Sequence, residues 1–422
     1  MPRPVIVLCP HFAPDSAPTG VVMTRIVEEL VRLGHRVHVV TSLPWYRRHH
    51  VEDGWTGRPW RTESTQWGSI VRVSPFAGND KANIPRRALG FAAFSVLIGL
   101  RGLFVGGLHR RAEAVIAMSP PLTLGLTGWL VAKVRRAPLV FNIQDVFPDA
   151  AVSTGNLSNR RVIALAEWLE RVSYGRSDAV VVLSDDLRAN VASKLSPKRT
   201  GKAVVIPNFV DSERIVPGST DTVYRREFTP NAAKVVMYAG NVGFSQSLDV
   251  MVEAARRLPD VTFVVNGEGS SRGAIRQSAA GLSNMVFVDY QPADRLAEVL
   301  ASADVHVVPL RRGLGNVSVP SKAYSIMAAA RPILASIDAD SEVARMVGAS
   351  RCGAVVAPDD ADAFVAALAS MLDQPAELAA MGERGRRWVV EHASPAAVGE
   401  AYAALIARLR ARTTQPIRGV SR

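Results

Sequence analysis

Residues 305–336 read VHVVPLRRGLGNVSVPSKAYSIMAAARPILAS. The apolar, β-branched run Val305–Leu310 has the length of a buried strand and ends in a loop carrying Arg311, Arg312, Gly313 and Gly315. A Pro320-Ser321-Lys322 step then opens a helix of small residues, and Pro332 begins a second buried strand. A helix start offers unpaired N–H groups and the positive end of the dipole. Three cations, Arg311, Arg312 and Lys322, lie beside this one, so a phosphate-bearing ligand is the first expectation.

The same rhythm fills the chain. Short apolar runs at Val5–Cys9, Val37–Thr41, Ile70–Val73, Ala114–Met118, Leu139–Ile143, Ala179–Leu183 and Val204–Ile206 alternate with helical patterns. A second set follows at Lys234–Ala239, Val261–Val265, Met285–Val288, Val305–Leu310, Ile333–Ala335 and Ala354–Ala357. Continuously apolar strands separated by helices imply parallel sheets covered on both faces, and two such sets imply two doubly wound α/β domains. Pro217, Gly218, Pro230 and a polar run break the rhythm within Val210–Ala232, so we set the domains at 1–210 and 211–394.

The net charge of +12 is uneven: residues 1–210 hold 27 Lys/Arg against 15 Asp/Glu, and residues 211–422 hold 23 of each. A basic half points to a polyanion. No helix-turn-helix, zinc-finger or aromatic-basic RNA motif accompanies it, so we expect no nucleic acid and favour an anionic membrane surface. Residues 86–111 support that choice, because Arg86-Arg87 and Arg110-Arg111 flank a long apolar stretch interrupted by Arg101. An interfacial or half-buried helix, a core helix and a membrane span all remain open, although Arg101 and several glycines count against the span. The two cysteines, Cys9 and Cys352, fit no metal or redox spacing and suit a reducing compartment. The start MPRPVIVLCPHF is too short in its apolar run for a signal peptide. No metal is expected: the histidines lack a ligand spacing, and Asp338-Ala339-Asp340 reads as surface-turn carboxylates.

The loop-PSK-helix-AAARPILA pattern resembles the nucleotide-sugar site of family 4 retaining glycosyltransferases, and within them the fucosamine-transferase-like subgroup of bacterial surface-polysaccharide assembly. The likeness runs nearly end to end, through HFAPDSAPTG (11–20), QDVFPD (144–149), VIPNFVD (205–211), MYAGNVGFSQSLD (237–249) and VNGEG (265–269). It implies the GT-B fold, two Rossmann-like domains with an interdomain cleft, and a last helix at 395–412 returning to the first domain.

It also implies roles. Gly20 would face the donor diphosphate, with Asp15 and His11 near the acceptor. Asp145 would act at the reaction centre, or merely cap the next helix. Gln144 stands where many relatives carry His. Asn241 and Gln246 replace the Arg and Lys that usually clamp the diphosphate, a pattern the subgroup shares, with Gly243 between them. Gly267, Glu268 and Gly269 would wall the donor pocket, and Val288–Tyr290 would meet the base. Lys322 would stabilise the leaving phosphate, with Arg311, Arg312, Pro320, Ser321 and Ser325 lining the donor. The two glutamates usual in the family are absent; their positions hold Val317 and Ser325.

The expected function is retaining transfer from a nucleotide sugar, UDP-linked, to a lipid-linked or other glycan acceptor. The site of action would be the inner face of the plasma membrane, met peripherally through residues 86–111. Two rivals stand beside it: a UDP-sugar 2-epimerase of the same fold, and a degenerate, non-catalytic partner in a glycan-assembly complex.

Overall fold

A computed structural model describes residues 3–47, 50–57, 59–75, 84–108, 110–144, 159–314 and 321–414. The chain divides into two compact units, Met1–Pro207 with Val398–Arg422, and Asn208–Ala397.

The first unit holds eight strands: β1 (Val5–Leu8), β2 (Val37–Ser42), β3 (Trp60–Thr65), β4 (Gly68–Val73), β5 (Ala114–Ser119), β6 (Leu139–Ile143), β7 (Ala179–Val182) and β8 (Ala203–Val205). Their order is β3-β4-β2-β1-β5-β6-β7-β8. Every pairing is parallel except β3 with β4. Strand β3 corrects the all-parallel expectation. Its sequence WRTEST lacks an apolar run, because an edge strand with alternating exposure needs none.

Helices Ile84–Phe104, Thr123–Val134 and Arg160–Arg176 pack side by side on this sheet. Phe94, Ile98, Leu124, Val131 and Tyr174 join Ile6, Leu8 and Phe141 in one core. Buried Arg135 donates to the carbonyls of Leu103, Val105 and Arg110 at 3.1, 2.8 and 2.7 Å, satisfying the end of the first of these helices. That helix is half-buried. Phe94 and Ile98 face inward, while Leu89, Val96, Leu100 and Phe104 form an exposed apolar stripe at helical spacing. Among the described residues no helix is long and apolar enough to cross a membrane. The final helix, Pro395–Thr414, lies largely in this unit, where Asn142 Nδ2 donates to Tyr402 Oη at 2.5 Å.

The second unit holds β9 (Lys234–Ala239), β10 (Val261–Asn266), β11 (Met285–Val288), β12 (Val305–Pro309), β13 (Ile333–Ser336) and β14 (Gly353–Val356). Their order is β11-β10-β9-β12-β13-β14, and all pairs are parallel. In each sheet the winding reverses beside its first strand, between β1 and β5 and between β9 and β12. Doubly wound sheets take ligands at the carboxyl ends of strands in such crevices.

Candidate functional site

In the second unit, the chain leaves β9 through Gly240 (φ +142°) and β10 through Gly267 (φ +146°) and Gly269 (φ +154°). The two loops lie flat against each other. Gly240 N–H donates to the Asn266 carbonyl at 2.9 Å and Val242 N–H to that of Glu268 at 2.8 Å. A Cβ on Gly267 would stand 2.0 Å from the Gly240 carbonyl oxygen, so only glycine permits this approach.

Lys322 begins the helix Lys322–Ala328, as the Pro-Ser-Lys step predicts, though at seven residues this helix is short. Its Nζ sits 3.7 Å from the centroid of the Tyr238 ring and packs against Gly240, where an added Cβ would lie 2.8 Å away. Tyr238 Oη in turn donates to the Asn241 carbonyl. Among the described residues Lys322 has no carboxylate or carbonyl partner, and burial lowers its pKa from 10.5 to about 7. A part-buried ammonium seated on an aromatic face is a seat prepared for an anion.

The other cations are engaged. Arg311 donates from Nε to the Phe244 carbonyl at 2.8 Å and stacks its guanidinium 5.2 Å from the Phe244 ring. Arg312 donates to the Pro358 carbonyl at 3.0 Å. Both tie loops together around the crevice. Gln246 Oε1 accepts the Gly243 N–H at 2.9 Å, and the Asn241 side chain lies against the same glycine. Arg272 bridges Glu268 at 2.8 Å and Asp289 at 2.6 Å, fixing the loop after β10 beside Tyr290, which is exposed. Ser321 is exposed and Ser325 half-buried on the Lys322 helix. Asp338, half-buried, accepts the Gly313 N–H at 2.8 Å and so ties the loop after β13 to the loop after β12.

In the first unit, His11, Asp15 and Gly20 gather at the carboxyl end of β1. His11 Nδ1 lies 2.7 Å from Asp15 Oδ2. Gly20, in the first turn of the helix Pro18–Arg32, leaves room for His11, whose Cβ would be 2.9 Å from a Cβ at that position. Gln144 turns back to Asn142, donating from Nε2 at 2.8 Å. Asp145 and Pro320 lie outside the described residues.

Three aromatic residues escape the sequence reading: Tyr238 beneath Lys322, and Trp45 and Tyr46 beside His11. Their signal is position: Tyr238 lies near the carboxyl end of β9, which flanks a winding reversal, and Trp45 and Tyr46 follow β2, the neighbour of β1. Among the described residues no group of three or more His, Cys, Asp or Glu side chains is placed to hold a metal.

Comparison with known proteins agrees with this architecture. Residues 19–208 match the family described as glycosyl transferase 4-like domain, and residues 233–374 match glycosyl transferases group 1. The chain is 26% identical over 381 residues to the putative colanic acid biosynthesis glycosyl transferase WcaI of Escherichia coli (strain K12), covering 86% of this chain and 91% of that one. Sucrose-phosphate synthase from Thermosynechococcus elongatus superposes with a TM-score of 0.67 at 18% identity, over 97% of this chain and all of the other. Anabaena Alr3699/HepE in complex with UDP gives 0.64 at 12% identity, over 96% and 100%. These similarities of shape establish the GT-B fold.

Proposed function

This chain carries the family 4-like and group 1 domains of a GT-B glycosyltransferase, and we propose that it transfers a sugar, with retention, from a UDP-linked donor to a lipid-linked or other glycan acceptor in cell-envelope polysaccharide or glycolipid synthesis. The observation that carries the reading is the Lys322 ammonium, lacking a carboxylate partner among the described residues and seated over Tyr238 at the β9/β12 crevice. A diphosphate there gains a buried counter-charge, and its leaving-group charge is stabilised where water is scarce. UDP is favoured because solved structures of the same fold hold it, HepE among them. The envelope pathway is favoured by the likeness to WcaI, and Asn241 with Gln246 supports the fucosamine-transferase-like subgroup.

In this reading the bond from the anomeric carbon to the phosphate oxygen breaks with its electron pair going to the diphosphate. The acceptor oxygen bonds to the same face of that carbon, and its proton passes to the departing phosphate. No protein base is required. No metal is required either, so EDTA at millimolar concentration should leave the rate within about twofold, against a total loss for a two-metal or Lewis-acid mechanism. The rate with and without added Mg²⁺ measures this.

The test of the function is direct. UDP should raise the melting temperature, and UDP-sugars should label short-chain polyprenyl-diphosphate glucose, galactose or N-acetylglucosamine, read by mass spectrometry. Epimerised UDP-sugar formed without any acceptor would instead establish the epimerase, and binding without turnover the non-catalytic partner.

The membrane belongs to the same proposal. Besides Leu89, Val96, Leu100 and Phe104, the neighbouring packed helices expose Leu130 and Val134 on Thr123–Val134, and Leu165 and Trp168 on Arg160–Arg176. This apolar face belongs to the basic half of the chain. Peripheral binding to the inner leaflet follows from apolar contact plus attraction to anionic lipid. Phosphatidylglycerol vesicles should sediment the protein and phosphatidylcholine vesicles much less. Leu100→Asp should weaken binding about tenfold without lowering the melting temperature, because Leu100 leaves no cavity in the core.

A further inference from the structure

Asp15 is 3% exposed and its carboxylate is fully occupied. Oδ2 takes His11 Nδ1 at 2.7 Å, and the backbone N–H groups of Tyr46 and Trp45 approach Oδ1 and Oδ2 at 3.3 and 3.5 Å. The loop that holds it is pinned from beneath. Buried Arg72 donates to the Ala13 carbonyl at 2.6 Å, Ala13 N–H donates to Thr24 Oγ1 at 2.9 Å, and Asp15 N–H donates to the Phe12 carbonyl at 3.0 Å. The His11 ring is stacked on Trp45 at 5.5 Å and meets Tyr46 edge-on at 5.5 Å, so its rotation is blocked on both sides. Tyr46 itself is 41% exposed. All four residues stand at the carboxyl ends of β1 and β2, beside the β1/β5 reversal.

We propose that Asp15 does not touch the acceptor but acts as a positioning residue. It receives Nδ1–H from His11, which leaves Nε2 as a fixed hydrogen-bond acceptor for a hydroxyl of the acceptor saccharide, with the Tyr46 ring as the adjoining stacking surface. A carboxylate surrounded by N–H donors accepts only, so the imidazole must turn its proton-bearing nitrogen toward it. The hydroxyl engaged is a neighbour of the one that reacts, whose own proton goes to the leaving phosphate. The inference rests on the transferase reading and adds to it the group that orients the acceptor.

Asp15→Asn tests it. The Tyr46 N–H, the nearer of the two backbone donors, still requires an oxygen at the Oδ1 position, so the new NH₂ takes the Oδ2 position, faces Nδ1 and reverses the tautomer. In ¹⁵N-histidine-labelled protein, wild type should show His11 protonated at Nδ1, and Asp15→Asn should show it protonated at Nε2. In the transfer assay with polyprenyl-diphosphate monosaccharides, both Asp15→Asn and His11→Phe should raise the acceptor KM about tenfold or more. The donor KM and the UDP-induced thermal shift should stay within about twofold, a split that general misfolding does not give. A wild-type Nε2–H tautomer, a tautomer unmoved by Asp15→Asn, or an unchanged acceptor KM each overturns the proposal. Absence of any UDP shift in wild type defeats the transferase reading instead, while the tautomer measurement still judges the dyad.

Discussion

Lys322→Met should leave the protein folded and at least as stable, while weakening UDP by about 10- to 100-fold and sugar transfer by about 100- to 1,000-fold. Methionine follows the path of the lysine stem and keeps contact with Tyr238 and Gly240, so packing survives. What disappears is an ammonium whose burial already lowers its pKa to about 7. Removing a buried charge that lacks a carboxylate among the described residues relieves desolvation in the empty protein, which is why stability and binding move in opposite directions. Between pH 7 and 10.5 the unfolded chain holds a proton that the folded, empty protein has shed, so this group makes stability rise with pH across that window. A bound diphosphate reverses the balance by holding the proton on. UDP affinity should therefore be flat just below pH 7 and fall up to tenfold per unit above it, with proton uptake on binding. Calorimetry in two buffers of different ionisation enthalpy measures that uptake. Lys322→Met should abolish it, and a wild-type affinity indifferent to pH between 7 and 9 would sink the assignment.

The Lys322 seat was half legible in the sequence. The strand, the arginine-bearing loop and the helix opening at Lys322 follow from apolar runs and breakers, whereas Gly243, Gly267 and Gly269 are marked by the family resemblance and Gly240 by the structure alone. Burial and partnership are not written in any run. Sequence groups Arg311 and Arg312 with Lys322 as equal cations, yet both arginines hold the carbonyls of neighbouring loops. Tyr238 was hidden because alternate residues of an apolar strand look alike until one is known to end beneath a lysine. Gly20 shows the converse. Its place by a ligand loop suggests close approach of a phosphate, while the structure gives the space of its missing side chain to His11. Strand β3 was missed for a related reason: its polar WRTEST is stabilised by pairing along one edge, which no apolar period announces.

The largest loss of stability should come from Gly267→Ala, at about 3–5 kcal/mol. Two penalties coincide at this residue. The φ of +146° lies where an L side chain is strained, and the added Cβ would be 2.0 Å from the Gly240 oxygen and 2.9 Å from its carbonyl carbon. Both neighbours are backbone, so no side chain can swing aside. The strands β9 and β10 must part at their carboxyl ends, stretching the Gly240–Asn266 hydrogen bond and moving Gly240 away from Lys322. Thermal unfolding should fall by roughly 10 °C for a unit of this size, with UDP stabilisation lost as well. Gly273→Ala supplies the contrast. It lies in the helix Arg272–Ser278 with nothing within 4 Å of an added Cβ, and should stabilise by about 0.5–1 kcal/mol. Two glycines six residues apart should thus shift the melting temperature in opposite directions. Equal effects would mean that the loops after β9 and β10 do not make the close approach on which the Lys322 seat depends.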